Sequence, residues 1–201
     1  MARGIIDMEG MNTLQIQSLK NTKTPEDLPF NITKIGHVVL KVTDLERSVK
    51  FYTRVLGFRV SDVYPESMMP GRMVFMRCNS DHHGVALVGG ATHKSKNIEL
   101  HHMAFEVSTI DEVLRAREHL KIHNVKIQFE GRRRAGAQVA VEFLDPDGHW
   151  LEIFWGLDQI GPNEKARPAT EWVEVFSLED AIDCAPPGQD TTLNDQALRK
   201  D

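Results

Sequence analysis

The chain has 201 residues, 41% hydrophobic and 26% charged, a balance that suits a soluble globular protein near the upper size of one ordinary domain. Its formal net charge of -5 offers no positive field to phosphate backbones or anionic lipid, which argues against nucleic acid and membrane surfaces as partners. Two cysteines, Cys78 and Cys184, are too few for a disulfide framework, no apolar run approaches the roughly 20 residues of a membrane span, and the start of the chain turns acidic at Asp7 before a signal-peptide stretch develops. A cytoplasmic location is the default expectation.

In chain order, residues 1–32 read as an N-terminal arm marked by Pro25 and Pro29, and residues 33–157 as one domain built from an internal repeat, with modules at about 35–90 and 100–157. Gly36-His37-Val38-Val39-Leu40-Lys41-Val42-Thr43 aligns with His101-His102-Met103-Ala104-Phe105-Glu106-Val107-Ser108, each a strand that ends in a helix-capping residue. A helix follows in each copy, over 44–56 with Gly57 as its left-handed stop, and over 110–122. Three strands complete each module, at 58–63, 72–78 and 84–88, then at 125–129, 138–144 and 149–155. The expected fold is α+β: two βαβββ modules forming an open, barrel-like mixed sheet with the helices outside. Residues 158–201 form a C-terminal extension. Its apolar group from Trp172 to Ile182 should dock on the domain or a second subunit, with the last fifteen or so residues disordered.

Strand alternation puts Val38, Leu40 and Val42 under the helix, which leaves His37 facing the other way. By the repeat His102 occupies the equivalent place, and on the last strand Trp150, Glu152 and Phe154 face the same concavity. Two neutral imidazoles and a carboxylate suit Fe(II), with Mn(II) or Zn(II) also possible, and leave coordination positions open. Ala86 stands where Glu152 stands in the second copy, so the first module adds no fourth ligand. His101 has the wrong strand parity for a ligand, and His119 and His123 lie on or after the second helix.

The run from Gly36 to Leu45, the pairs Phe51-Tyr52 and Leu56-Gly57-Phe58, and Asp145-Pro146-Asp147-Gly148-His149-Trp150-Leu151-Glu152 resemble the vicinal oxygen chelate superfamily of glyoxalases, bleomycin-resistance proteins and extradiol dioxygenases. Within it the sequence is most similar to type I extradiol ring-cleaving dioxygenases of the one-domain kind. The resemblance implies a metal triad of His37, His102 and Glu152, and a catalytic acid/base at His83 in His83-Gly84-Val85-Ala86-Leu87, with His82 as its neighbour. Pro168-Ala169-Thr170-Glu171-Trp172 matches as well. Two positions depart from the family pattern: Glu142 replaces a tyrosine, and Arg133 or Arg134 stands near a histidine position. Glu142, Arg133 and Phe154 are therefore candidate substrate-binding residues, and Met68, Met69 and Phe75 candidate apolar walls. The implied function is Fe(II)-dependent cleavage of a catechol-like diol with O2, by a homo-oligomer. The alternatives are another metal-dependent enzyme of the superfamily, glyoxalase-like or thiol-transferring, or a binding protein of the bleomycin-resistance type.

Overall fold

The computed structural model describes residues 4–25, 29–30, 32–162 and 164–199. Two short helices, α1 (Met8–Met11) and α2 (Leu14–Lys20), open the chain, and neither buries a residue. The first module follows as β1 (Val38–Lys41), α3 (Leu45–Arg54), β2 (Arg59–Tyr64), β3 (Met73–Arg77) and β4 (Val85–Val88). The second repeats it as β5 (Met103–Glu106), α4 (Ile110–Ile122), β6 (Ile127–Arg132), β7 (Val139–Leu144) and β8 (Trp150–Trp155). Among the described residues, no helix is long and apolar enough to cross a membrane.

Each module makes one four-stranded sheet, ordered β1-β4-β3-β2 and β5-β8-β7-β6, with the first pair of each parallel and the rest antiparallel. The α+β architecture with helices outside is the expected one. The barrel-like sheet is in fact two separate open sheets, because each hydrogen-bonded ladder ends at β1 or β5. The leading strands are also shorter than the sequence suggests, so His37 and His102 stand immediately before them. Both helix caps fall one residue later than expected. Asp44 accepts from the Arg47 amide, and Thr109 forms a reciprocal box with Glu112. Thr43 is thereby released to bond Asp147. Gly57 does take the left-handed conformation, with φ 74°.

One continuous core lies under the helices and joins the modules. Leu40, Val42, Val74, Met76, Val85 and Leu87 of the first sheet pack with Val139, Val141, Phe143 and Leu151 of the second. Helix α3 bridges the two: Phe51 packs on Phe143, and the buried Tyr52 hydroxyl donates to Asp145 at 3.2 Å. The turn between β7 and β8 is fastened to the same helix through Asp147, which accepts from the Thr43 amide and hydroxyl, Ser48 and Arg47. Burial disfavours its charge, but those donors prevail and hold the Asp147 carboxyl below its ordinary range.

The extension docks on this same core. Val175, Leu178 and Ala181 are fully buried, and Val175 pairs antiparallel with Arg132 at the edge of β6. That approach needs Gly131: a side chain there would meet the Val175 carbonyl at 2.1 Å. The Arg132 side chain is buried with the carbonyls of Ala137 and Ala181 and the Gln189 side chain as acceptors, and desolvation lowers its pKa to about 10. Helix α5 (Leu178–Asp183) lies against β6. Of the last fifteen or so residues, expected to be disordered, 187–199 are described and pack, while 200–201 lie outside the described residues. Leu193 is buried, and the Asn194 and Asp195 amides donate to the buried Asp111 carboxylate. The polar run after Pro187 concealed this, since its anchors are single residues with distant partners.

Candidate active site

The faces of the two sheets turned away from the helices differ at matching positions. Across the first sheet, Asp62 stands opposite Phe75, Phe75 opposite Ala86, and Ala86 beside Val39. Across the second, Phe129 stands opposite Glu142, Glu142 opposite Glu152, and Glu152 beside Ala104. The register confirms the equivalence of Ala86 and Glu152. Met73, Phe75, Ala86 and Val88 form a small apolar cluster with Met69 against it, whereas the second face buries two carboxylates side by side.

Glu152 is 2% exposed, and its Oε1 atom is buried with no hydrogen-bond partner. Its Oε2 atom lies 3.3 Å from His102 Nε2. Burial first and then the neighbouring Glu142 raise the Glu152 carboxyl, against a lowering hydrogen bond from Gln138 and the charge of Arg133. An orphaned, desolvated carboxylate oxygen beside an imidazole is costly unless something cationic meets it. Burial, and then His101, hold the His102 pKa below its usual value, which favours the neutral ring that a metal ligand requires.

His37 approaches from the first module. Its ring lies 4.5 Å from that of His83, while His37 and His102 line a common cavity of about 560 Å³ with Phe58, Cys78 and Phe105. The predicted residues thus come together as two pairs, His102 with Glu152 and His37 with His83. Among the described residues no three His, Cys, Asp or Glu side chains form a group close enough to grip one ion. The donor types suit a 2-His-1-carboxylate ion, and Glu152 keeps its Oε1 atom unpartnered, but Glu152 does not line the cavity that His37 and His102 share.

Arg133 answers Glu142, with its Nε atom 2.7 Å from Oε1, and the Trp150 indole donates to Oε2 at 3.0 Å. The guanidinium also lies 3.6 Å from the centre of the Phe129 ring. Arg134 instead takes Glu174 of the extension at 2.8 Å, and Glu174 also lies 3.9 Å from Arg133, which leaves Arg133 as the arginine paired with Glu142. Phe154 is half-buried two residues beyond Glu152, opposite Ala140. Met69 and Phe75 fall in the apolar cluster, while Met68 is exposed. Desolvation, followed by His37 and His82, lowers the pKa of His83.

Several contacts had no sequence signal. His101 stacks on Trp150 and sets its Nδ1 atom 2.8 Å from that of His102. Asp62 reaches His82, a pairing that depends on a bulge in β2 at Ser61. Only superposition of β2 on β6 could have drawn attention to Asp62, as the counterpart of Phe129.

The sequence profile of the Glyoxalase/Bleomycin resistance protein/Dioxygenase superfamily matches residues 34–153. Among curated proteins, the chain is 28% identical over 129 residues to 3-methylcatechol 2,3-dioxygenase of Pseudomonas putida, a match covering 63% of this chain and 43% of that protein. It is 32% identical over 124 residues to biphenyl-2,3-diol 1,2-dioxygenase of Paraburkholderia xenovorans, covering 60% and 40%. The chain therefore matches about two fifths of the length of these relatives. Two others are named as metal enzymes, a manganese-dependent 2,3-dihydroxybiphenyl 1,2-dioxygenase of a Geobacillus species and an iron-dependent extradiol dioxygenase of Rhodococcus jostii. Among solved structures, the fosfomycin resistance protein FosX of Listeria monocytogenes shares the fold at TM-score 0.52 and 20% identity, covering 63% of this chain and 95% of that one. A glyoxylase/bleomycin resistance protein/dioxygenase domain from a Frankia species does so at TM-score 0.55 and 20% identity, covering 63% and 99%.

Proposed function

The chain belongs to the Glyoxalase/Bleomycin resistance protein/Dioxygenase superfamily, and from that premise we propose that it is an extradiol dioxygenase that opens the ring of a catechol-like diol with O2. The observation that carries this reading is Glu152: a carboxylate buried with one oxygen unpartnered and the other 3.3 Å from the ring of His102, which in turn lines one cavity with His37. His37, His102 and Glu152 would hold Fe(II), or Mn(II) in its place. When bound, the ion supplies a Lewis-acid and redox centre with positions open to the diol and to O2. Ala86 in the equivalent place keeps the first module from adding a carboxylate.

The rest of the reading concerns the chain's own side chains. Met69 and Phe75 offer an apolar wall for the aromatic ring, and the Arg133–Glu142 pair with Phe154 orients its substituents. His83 Nε2 takes a proton from a diol hydroxyl and later returns it to the opened product, a task for which a neutral imidazole is suited. We extend the reading to a cytoplasmic homo-oligomer. The test is anaerobic reconstitution with Fe(II), followed by catechol or 2,3-dihydroxybiphenyl and O2. One O2 consumed per diol, with both oxygen atoms recovered in a ring-opened product, is the expected result. Binding of the diol without O2 uptake, or turnover only with a thiol co-substrate, would contradict it.

A further inference from the structure

His83 does not stand alone. Its Nδ1 atom lies 3.0 Å from Nδ1 of His82, and the Nε2 atom of His82 lies 3.0 Å from the Asp62 carboxylate. Phe75 packs its ring edge-on against both imidazoles, at 5.9 Å from His82 and 5.0 Å from His83. Asp62 faces Phe75 across the sheet, because β2 bulges at Ser61 and re-aims the residue that follows.

The hydrogen-bond directions of this row follow from the acceptor at its end. A carboxylate only accepts, so a neutral His82 carries its proton on Nε2 and presents a bare Nδ1. Bare Nδ1 must in turn accept from His83, which places the His83 proton on Nδ1 and leaves Nε2 as a lone pair. We propose that Asp62 and His82 are positioning residues: they select the tautomer of His83 in which Nε2 is the basic atom. The row has little else to do. The Asp62 and His82 side chains are 64% and 56% exposed, and an ion pair so placed contributes little to stability. The role of His83 in ring cleavage rests on the functional reading above, but its tautomer does not.

The test uses the full-length chain with ¹⁵N-labelled histidine, free of paramagnetic metal, in the wild type and in Asp62→Ala and His82→Phe. The phenylalanine keeps a ring against Phe75 and removes both nitrogens. Long-range ¹H–¹⁵N spectra should show His83 protonated on Nδ1 in the wild type and shifted towards the Nε2–H form in both variants. With Fe(II) and catechol, kcat should fall about 10- to 100-fold, the usual weight of an outer hydrogen-bond partner, with KM and melting temperature nearly unchanged. His83 protonated on Nε2 in the wild type, or an unmoved tautomer in both variants, would overturn the proposal. A lowered melting temperature accounting for the lost activity would also do so. If the wild type cleaves no diol, the functional reading fails while the spectra still decide the tautomer.

Discussion

The two modules share one chain path, one strand order and even a bulge in the second strand of each sheet, yet their open faces have opposite chemistry. At matching positions the first presents Asp62, Phe75, Ala86 and Val39, and the second Phe129, Glu142, Glu152 and Ala104. The faces turned to the helices do not diverge in this way, because they are filled by apolar side chains in both copies. The contrast separates two demands on a duplicated fold. The inner faces are constrained by packing and stay alike, whereas the open faces are free to specialise, one as an apolar wall and the other as a charged floor.

The sharpest way to break that division is at His83, the candidate acid/base that the first module holds beside His37. His83→Ala should keep metal binding near normal and lower turnover by at least roughly 10²-fold, the usual contribution of a positioned acid/base; steady-state kinetics with parallel metal analysis decide it. Transplanting the acid row tests the division directly. Ala86→Glu places a carboxylate among Met73, Phe75 and Val88, where nothing pairs with it, and should cost about 3 kcal/mol in denaturant unfolding.

On the charged face the expected effects are smaller. Arg133→Ala removes the cation that faces Glu142 and leaves two neighbouring buried carboxylates. A loss of about 2 kcal/mol is expected, because the guanidinium is part-exposed and its attraction is screened. Asp147 gives the smallest effect and fixes its sign. Its folded-state pKa lies below the unfolded value, so its contribution is complete at neutral pH and fades as pH falls through the folded value. Asp147→Asn should cost about 1–2 kcal/mol at pH 7 and progressively less below about pH 4, as measured by urea unfolding across that range.

How legible these features were in the sequence follows from the distance over which each is determined. Period-two alternation placed Val38, Leu40 and Val42 against the helices and Glu152 away from them, and the repeat put Ala86 level with Glu152. Those are local patterns. The contacts that shape the site are not: Trp150 reaches Glu142 only through the β7–β8 register, and Asp62 reaches His82 only through a bulge. The sequence offered Arg133 or Arg134 near the histidine position, with Arg133 the named candidate. The structure distinguishes them because Glu174 comes from the docked extension to occupy Arg134. The same non-locality hid the packing of Gln189, Leu193 and Asp195, each held by a partner more than fifty residues away or by the shared core.

In the proposed site the buried Glu152 carboxylate, whose Oε1 atom has no hydrogen-bond partner, would meet a metal ion together with His37 and His102. Anaerobic Fe(II) titration of the wild type and Glu152→Gln, with the melting temperature of each metal-free protein, tests it most directly. The variant should lose on the order of 10²-fold or more in Fe(II) affinity. Its metal-free form should melt no lower than the wild type, because an uncompensated buried charge has been removed. Undiminished Fe(II) affinity in Glu152→Gln would contradict it.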